Sequence, residues 1–277
     1  MNIISFKTEI ISILIMQLFI VCGIIAFSDV GYASRANTEK FYYFNPDSSQ
    51  SNLARLKQEM ERFLNRKHLV LSFQPFAKYH DFHREMQDKR PAFVFLPDWY
   101  YQQNRKSSKL KPLLQPLRKG RSTYRKILLT RQGSTLTLQG LRNKTLAMTT
   151  RGNEATDLLN YFLFSQFKLK SNSLNIIATP KDSDALFALA VRQVDAALVS
   201  ENNLQIIGKI NPRILQLVRP LATSQPIPLP LLCAGNNKVP DVKIMKLKKI
   251  FLEAKDSDDS ANLMEMLQID AWRNYAR

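Results

Sequence analysis

The chain has 277 residues, 45% hydrophobic and 23% charged, with 8 Gly and 13 Pro. That is a globular composition, and it excludes a fibrous, low-complexity or disordered protein. The formal net charge of +17 implies attraction to polyanions and anionic surfaces without dictating a fold.

Residues 1–33 read as a secretory signal peptide. Lys7 supplies the positive start, and the apolar run from Ile10 to Phe27 is interrupted only by Ser12, Gln17, Cys22 and Gly23. Gly31 and Ala33 occupy the small-residue positions of a cleavage site before Ser34. An uncleaved N-terminal anchor is the alternative, because the run is nearly long enough to span a bilayer. Val21 is not the small residue that would precede a lipid-bearing Cys22. Either way the mature chain lies outside the cytoplasm, in the periplasm. Cleavage removes one base (Lys7) and two acids (Glu9, Asp29), which raises the net charge by one, to +18. Cys233 is then alone, without a disulfide partner, and is expected in the core.

In the mature chain, Phe41–Phe44 reads as an aromatic strand followed by a polar turn from Asn45 to Ser49. The next helix places Leu53, Leu56, Met60, Phe63 and Leu64 on one face. Val70–Phe73 reads as a strand, Phe76–Met86 as a helix, and Ala92–Leu96, bounded by Pro91 and Pro97, as a third strand. Strands alternating with helices of this length argue for mostly parallel sheets. Between Arg105 and Arg131 the pattern turns basic and proline-interrupted, with one strand at Tyr124–Thr130, and reads as a crossover to a second lobe.

The βα rhythm restarts at Leu141. Thr145–Met148 is a short apolar strand, Thr149–Gly152 a polar turn, and Leu158, Leu159, Phe162, Leu163 and Phe167 share a helical face. A helix start at the carboxyl end of a sheet exposes backbone N–H groups where open α/β folds bind small ligands. Leu174–Ala178 (strand), Ser183–Arg192 (helix) and Ala196–Val199 (strand) follow, ending in Glu201, Asn202 and Asn203. Ile214–Val218 and Ile227–Cys233 read as strands returning to the first lobe, and two helices close the chain. The expected organisation is residues 34–125 and 220–277 as lobe 1, and 126–219 as lobe 2. Two crossovers between them form a hinge.

This layout resembles a type II periplasmic solute-binding protein, in particular the phosphonate- and phosphite-binding PhnD-like group. The resemblance is carried by AFVFLPDWYY (Ala92–Tyr101), NKTLAM (Asn143–Met148), AVRQVDAALVSENNL (Ala190–Leu204) and SQPIPLPLL (Ser224–Leu232). It covers residues from about Glu39 onward. It implies an α/β fold of two lobes, each a sheet flanked by helices, that closes on a solute and presents it to a membrane permease of an ABC transporter or to a sensor. The family's Ser-Thr pair, which holds the oxyanion at the central helix start, falls on Asn153 and Glu154. Its histidine falls near Asp182 and its glutamate near Asn202. A carboxylate at Glu154 repels a phosphonate, so the expected ligand is not a simple phosphonate.

Ligand contact is expected from Thr149, Thr150, Asn153, Glu154, Asp182, Glu201 and Asn202 on the second lobe, and from Tyr43, Asn45, Trp99, Tyr100 and Tyr101 on the first. Capping or core roles are the competing readings. His80 and His83 share a helical face, but with only His68 besides them no metal site is expected. No nucleophile elbow, P-loop or dinucleotide fingerprint occurs, so neither an enzyme nor a cofactor is expected. The basic runs suggest contact with an anionic membrane surface rather than nucleic acid, because no recognition motif accompanies the charge. A monomeric binding protein is the main reading. The alternatives are an envelope carrier of a lipid or sterol on the same fold, and a basic envelope-polymer-binding protein without a cleft ligand.

Overall fold

A computed structural model describes residues 38–48, 52–149, 159–164, 174–235 and 239–276. The proposed signal segment lies outside the described residues. Glu39–Arg277 form one compact unit that contains all three buried apolar clusters, so it is a folding unit in its own right.

The first lobe is built on a six-stranded sheet of order β13-β4-β12-β3-β1-β2. These strands are β1 (Lys40–Tyr43), β2 (Ser72–Pro75), β3 (Phe93–Leu96), β4 (Lys111–Leu117), β12 (Leu231–Ala234) and β13 (Ala271–Asn274). The strands β2, β1 and β3 run parallel, and β12, β4 and β13 add antiparallel pairings. Alternation along β1 explains the two cores on either side. Phe41 and Tyr43 join one cluster and Tyr42 and Phe44 the other. Tyr43 stacks on Phe95 at 5.3 Å, and Phe41 meets Phe73 edge-on at 5.2 Å.

Helix α1 (Leu53–Arg66) begins at Asn52, whose Oδ1 accepts the Arg55 N–H at 2.9 Å, a standard N-cap. It buries Leu56, Met60, Phe63 and Leu64 against the sheet, as the periodicity required. Helix α2 (Tyr79–Asp88) starts later than the expected Phe76, and α3 (Asp98–Ser108) starts directly after Pro97. The stretch read as an open crossover contains β4. Its two prolines hide it: Pro112 sits beside an irregularity in the pairing with β12, and Pro116 pairs with β13.

The second lobe holds a five-stranded sheet of order β10-β6-β9-β7-β8. It comprises β6 (Lys126–Arg131), β7 (Thr145–Thr149), β8 (Asn175–Thr179), β9 (Ala196–Ser200) and β10 (Val218–Thr223). Parallel β9, β7 and β8 are extended by antiparallel β6 and β10. Helix α4 (Asp182–Ala190) packs Ala185, Leu186 and Leu189 into a cluster with Leu129, Ala147 and Ala197. Helix α5 (Glu201–Ile210) follows β9, and Ser200 Oγ accepts the Asn203 N–H at its start.

Ile214 is helical, not in a strand. Pro212 opens a short helix α6 (Pro212–Gln216), a position where proline's fixed φ is preorganised, and the strand begins at Val218. Strand β10 then pairs with β6 in the second sheet before the chain returns. The two crossings run side by side as a ribbon of β5 (Thr123–Tyr124) and β11 (Ile227–Pro228). Buried Ser224 pins them: its N–H donates to the Lys126 carbonyl and its Oγ accepts the Lys126 N–H, both at 2.9 Å. Helices α7 (Asp241–Leu252) and α8 (Ala261–Leu267) close the first lobe.

Candidate functional site

Lys126 is the organising residue of the junction between the lobes. It opens β6 in the inward register shared by Tyr124 and Leu128, so its stem is drawn into the core. Because β6 runs antiparallel to β9 with Lys126 opposite Ser200, its ammonium emerges at the carboxyl end of β9. There it meets carboxylates from both lobes. Asp47, from the turn after β1, is hydrogen-bonded to Lys126 Nζ, and Asp182, the first residue of α4, has Oδ1 3.7 Å away. Only 3% of the Lys126 side chain and 1% of the Asp182 side chain are exposed.

A hydrogen-bond network completes this group. Asp182 Oδ1 accepts from Thr149 Oγ1 at 2.7 Å, and its Oδ2 accepts from the Ser200 N–H at 2.7 Å and from Asn203 Nδ2 at 3.0 Å. Asn203 Nδ2 also donates across the junction to the Asp47 carbonyl at 3.2 Å. The Tyr124 hydroxyl donates to Asp47 Oδ2 at 2.5 Å.

The titration of each group follows from these contacts. Burial alone would raise Asp182, but Lys126, the Ser200 N–H, Thr149 and Asn203 together hold it below the ordinary carboxylate range. Burial likewise opposes the Lys126 charge, and the two carboxylates, Asp182 foremost, outweigh it and raise the ammonium. Tyr124 is pushed well up, by burial first and then by the charge of Asp47. At neutral pH Lys126 is therefore an ammonium beside the Asp182 carboxylate.

Further contacts tie the lobes at other points. Tyr161, on a π-helical turn (Asn160–Phe164) of the second lobe, donates its hydroxyl to Asp98 Oδ2 at the start of α3, at 2.7 Å. Asp98 is buried and also accepts from Gln102. At the rim, Asn202 donates to Gln268 Oε1 at 3.1 Å, Lys119 donates to Gln205 at 2.8 Å, and Arg121 lies 3.8 Å from Glu201.

The residues expected from sequence fall into five groups. Thr149 and Asp182 lie inside the buried network. Glu201 and Asn202 sit on the rim, engaged with Arg121 and Gln268. The first-lobe aromatics are packed: Tyr43 on Phe95, Tyr100 between Phe82 and His83 with its hydroxyl 3.1 Å from His83 Nδ1, and Trp99 and Tyr101 in the cluster that runs through both lobes. Asn45 is half-buried and accepts the Asp47 N–H through Oδ1 at 3.2 Å, shaping the turn that presents Asp47. Thr150, Asn153 and Glu154 lie outside the described residues.

Five buried polar atoms have no hydrogen-bond partner among the described residues: Tyr43 Oη at the end of β1, Trp272 Nε1 in β13, Trp99 Nε1 after β3, Thr179 Oγ1 at the end of β8 and Asn203 Oδ1 after β9. The last three offer one donor, one hydroxyl that can act as either, and one acceptor. Asp47, Tyr124, Lys126 and Asn203 were not foreseen as site residues. The signal for Lys126 was present, a lysine in the inward register of a strand, where a charge is tolerated only with a partner. Among the described residues no group of three or more His, Cys, Asp or Glu side chains is placed to hold a metal ion.

The chain belongs to the family of ABC-transporter periplasmic phosphonate substrate-binding proteins, whose model matches residues 42–276. No curated protein sequence matches it. A binding component of a Pseudomonas aeruginosa phosphonate transporter superposes with a TM-score of 0.69 at 14% identity, covering 86% of this chain and 81% of that one. A PhnD of Prochlorococcus marinus in complex with methylphosphonate gives 0.69 at 12% identity, over 86% and 92%. A Xanthomonas citri protein bound to ATP gives 0.65 at 14% identity, over 86% and 91%. At these identities the likeness establishes the two-lobed fold. The family is one of periplasmic substrate-binding proteins.

Proposed function

We propose that this protein captures a small solute where its two lobes meet, closes on it about the β5–β11 ribbon, and delivers it to the permease of an ABC transporter. We further propose that the solute is not a simple phosphonate. The observation that carries this second part is the commitment of Lys126 to Asp47 and Asp182. The resemblance puts a ligand-contacting histidine of the family near Asp182, and a carboxylate stands there instead, already engaged by a protein cation. A phosphonate brought to within about 5 Å of two carboxylates meets about 3 kcal/mol of repulsion from each at an effective dielectric of 20, and one lysine offsets one of them. The atoms of Trp99, Thr179 and Asn203 that lack a partner among the described residues favour a solute that both donates and accepts hydrogen bonds. Ligand bridging both lobes would shift the population toward closure.

Thermal denaturation with methylphosphonate, phosphite and phosphate tests the reading. A ligand at a hundredfold its Kd adds about 2.7 kcal/mol of stability, a shift of several degrees. No shift is expected with these anions at millimolar concentration. A rise in Tm with methylphosphonate that disappears in Asp182→Ala would overturn it.

A further inference from the structure

We infer that the outer face of α7, together with the end of α1, is a docking surface for an anionic phospholipid bilayer, a role beyond solute capture. Helix α7 has two faces. Leu247, Ile250 and Phe251 pack into the first-lobe core. On the other side Val242, Met245, Lys246 and Lys249 follow the i, i+3, i+4, i+7 spacing that puts residues on one stripe. Val242 is 78% exposed and Met245 69% exposed, values that no packing of this unit explains.

Beside that stripe lies an open groove of 630 Å³ between α7 and the end of α1, lined by the apolar Phe63 and Ile250, the bases Arg66, Lys67, Lys246 and Lys249, and the acids Glu253 and Asp256. Lys246 bridges the two helices by donating to the His68 carbonyl at 2.8 Å. Arg66 is paired with Asp259 and Lys249 with Glu253. Among the described residues no carboxylate lies within ion-pair distance of Lys67 or Lys246. Val70, just past the end of α1, is also largely exposed. Large apolar side chains standing among lysines and arginines on one face are the signature of a surface that lies on a membrane interface. A nucleic-acid or acidic-protein surface has no use for the apolar part.

Chain connectivity points to the same partner. The folded unit begins at Glu39, whose carboxylate pairs with Lys243 of α7 itself. The apolar run from Ile10 to Phe27 is therefore joined to the α7 face by residues 28–38, a tether of at most about 40 Å when fully extended.

Co-sedimentation of residues 34–277 with vesicles of about one-third phosphatidylglycerol, against pure phosphatidylcholine, tests the inference. Binding to the anionic vesicles alone is expected, weakened by salt. The double change Lys246→Gln and Lys249→Gln should lower the partition coefficient about thirtyfold, from the contribution of each basic group near an anionic surface. The same charge change on the exposed second-lobe residues Lys209 and Arg213 should lower it less than about threefold at physiological salt, where those charges are screened from a surface docked on the other lobe. Unchanged thermal midpoints establish that both variants fold. Equal losses in the two variants would reduce the effect to net charge and overturn the inference, as would equal binding to the neutral vesicles. Release of the protein by millimolar inorganic phosphate would reassign the groove to a soluble anion and overturn it too.

Discussion

Replacing Lys126 with methionine keeps the apolar stem and deletes the ammonium between Asp47 and Asp182. Asp182 retains its hydrogen bonds from Thr149, Ser200 and Asn203 but loses the cation 3.7 Å away, and it cannot reach water. Breaking a buried pair from one side costs about 3–5 kcal/mol, because the remaining charge stays desolvated. Each kcal/mol shifts Tm by about 2–4 °C for a unit of this size, so the midpoint should fall by roughly 10 °C. Urea unfolding as a function of pH measures the effect and its sign. The folded Asp182 titrates below its unfolded value of about 3.9, so its contribution is present above that pH and is lost as pH falls through the folded pKa. Folded Lys126 titrates above its unfolded value of about 10.4, so its contribution is complete below that pH and is lost as pH rises through the folded pKa. The difference between wild type and Lys126→Met should therefore be full from about pH 4 to about pH 10 and shrink beyond either limit. Adding Asp182→Asn should recover more than half of the loss, a coupling of up to about 3 kcal/mol. A loss under about 1 kcal/mol at pH 7, or a double variant as unstable as the sum of the singles, would refute the buried ion pair.

Two other perturbations probe the junction and the core. Tyr161→Phe removes the hydroxyl that reaches from the second lobe to buried Asp98; it should cost about 1–3 kcal/mol and increase the radius of gyration in solution scattering, and an unchanged stability would show that this bond does not hold the lobes together. Cys233 is fully buried in β12, and burial, with a smaller push from Asp98, raises its thiol far above the ordinary range; an aromatic disulfide reagent at pH 8 should react with it only at the global unfolding rate, and immediate labelling of the native protein would contradict the β12 packing.

The fold was legible where periodicity and punctuation agree. The α1 stripe of Leu56, Met60, Phe63 and Leu64, and the all-apolar β3 between Pro91 and Pro97, leave no competing arrangement. It was illegible where a residue's local preference is overruled by its partner. Strand β4 carries prolines at 112 and 116, which argue against a central strand until β12 and β13 supply pairings that avoid the missing donors. Ile214 belongs to a run that fits a strand, yet Pro212 commits it to a helix. Thr149, Glu201 and Asn202 stood out because a parallel strand's carboxyl end is always a candidate position, and Asp182 stood out through the resemblance alone. Asp47 and Lys126 could not be paired from sequence. They lie 79 positions apart, and only the folding of one lobe against the other makes a turn after β1 the counterpart of the first residue of β6.

That pairing separates two electrostatic roles which a single net charge conflates. The surplus of +17 acts at a distance, drawing anions of every kind toward the surface and the basic wall of α7 toward a phospholipid face. Contacts at the junction act within a few ångströms, and there the charges are already matched: Lys126 between Asp47 and Asp182, Arg121 beside Glu201. On the proposed reading an incoming anion gains only by displacing one of the site's own carboxylates, and Asp182 is held by Lys126, the Ser200 N–H, Thr149 and Asn203. On the proposed reading, long-range attraction concentrates phosphonates around this protein without making them its ligand.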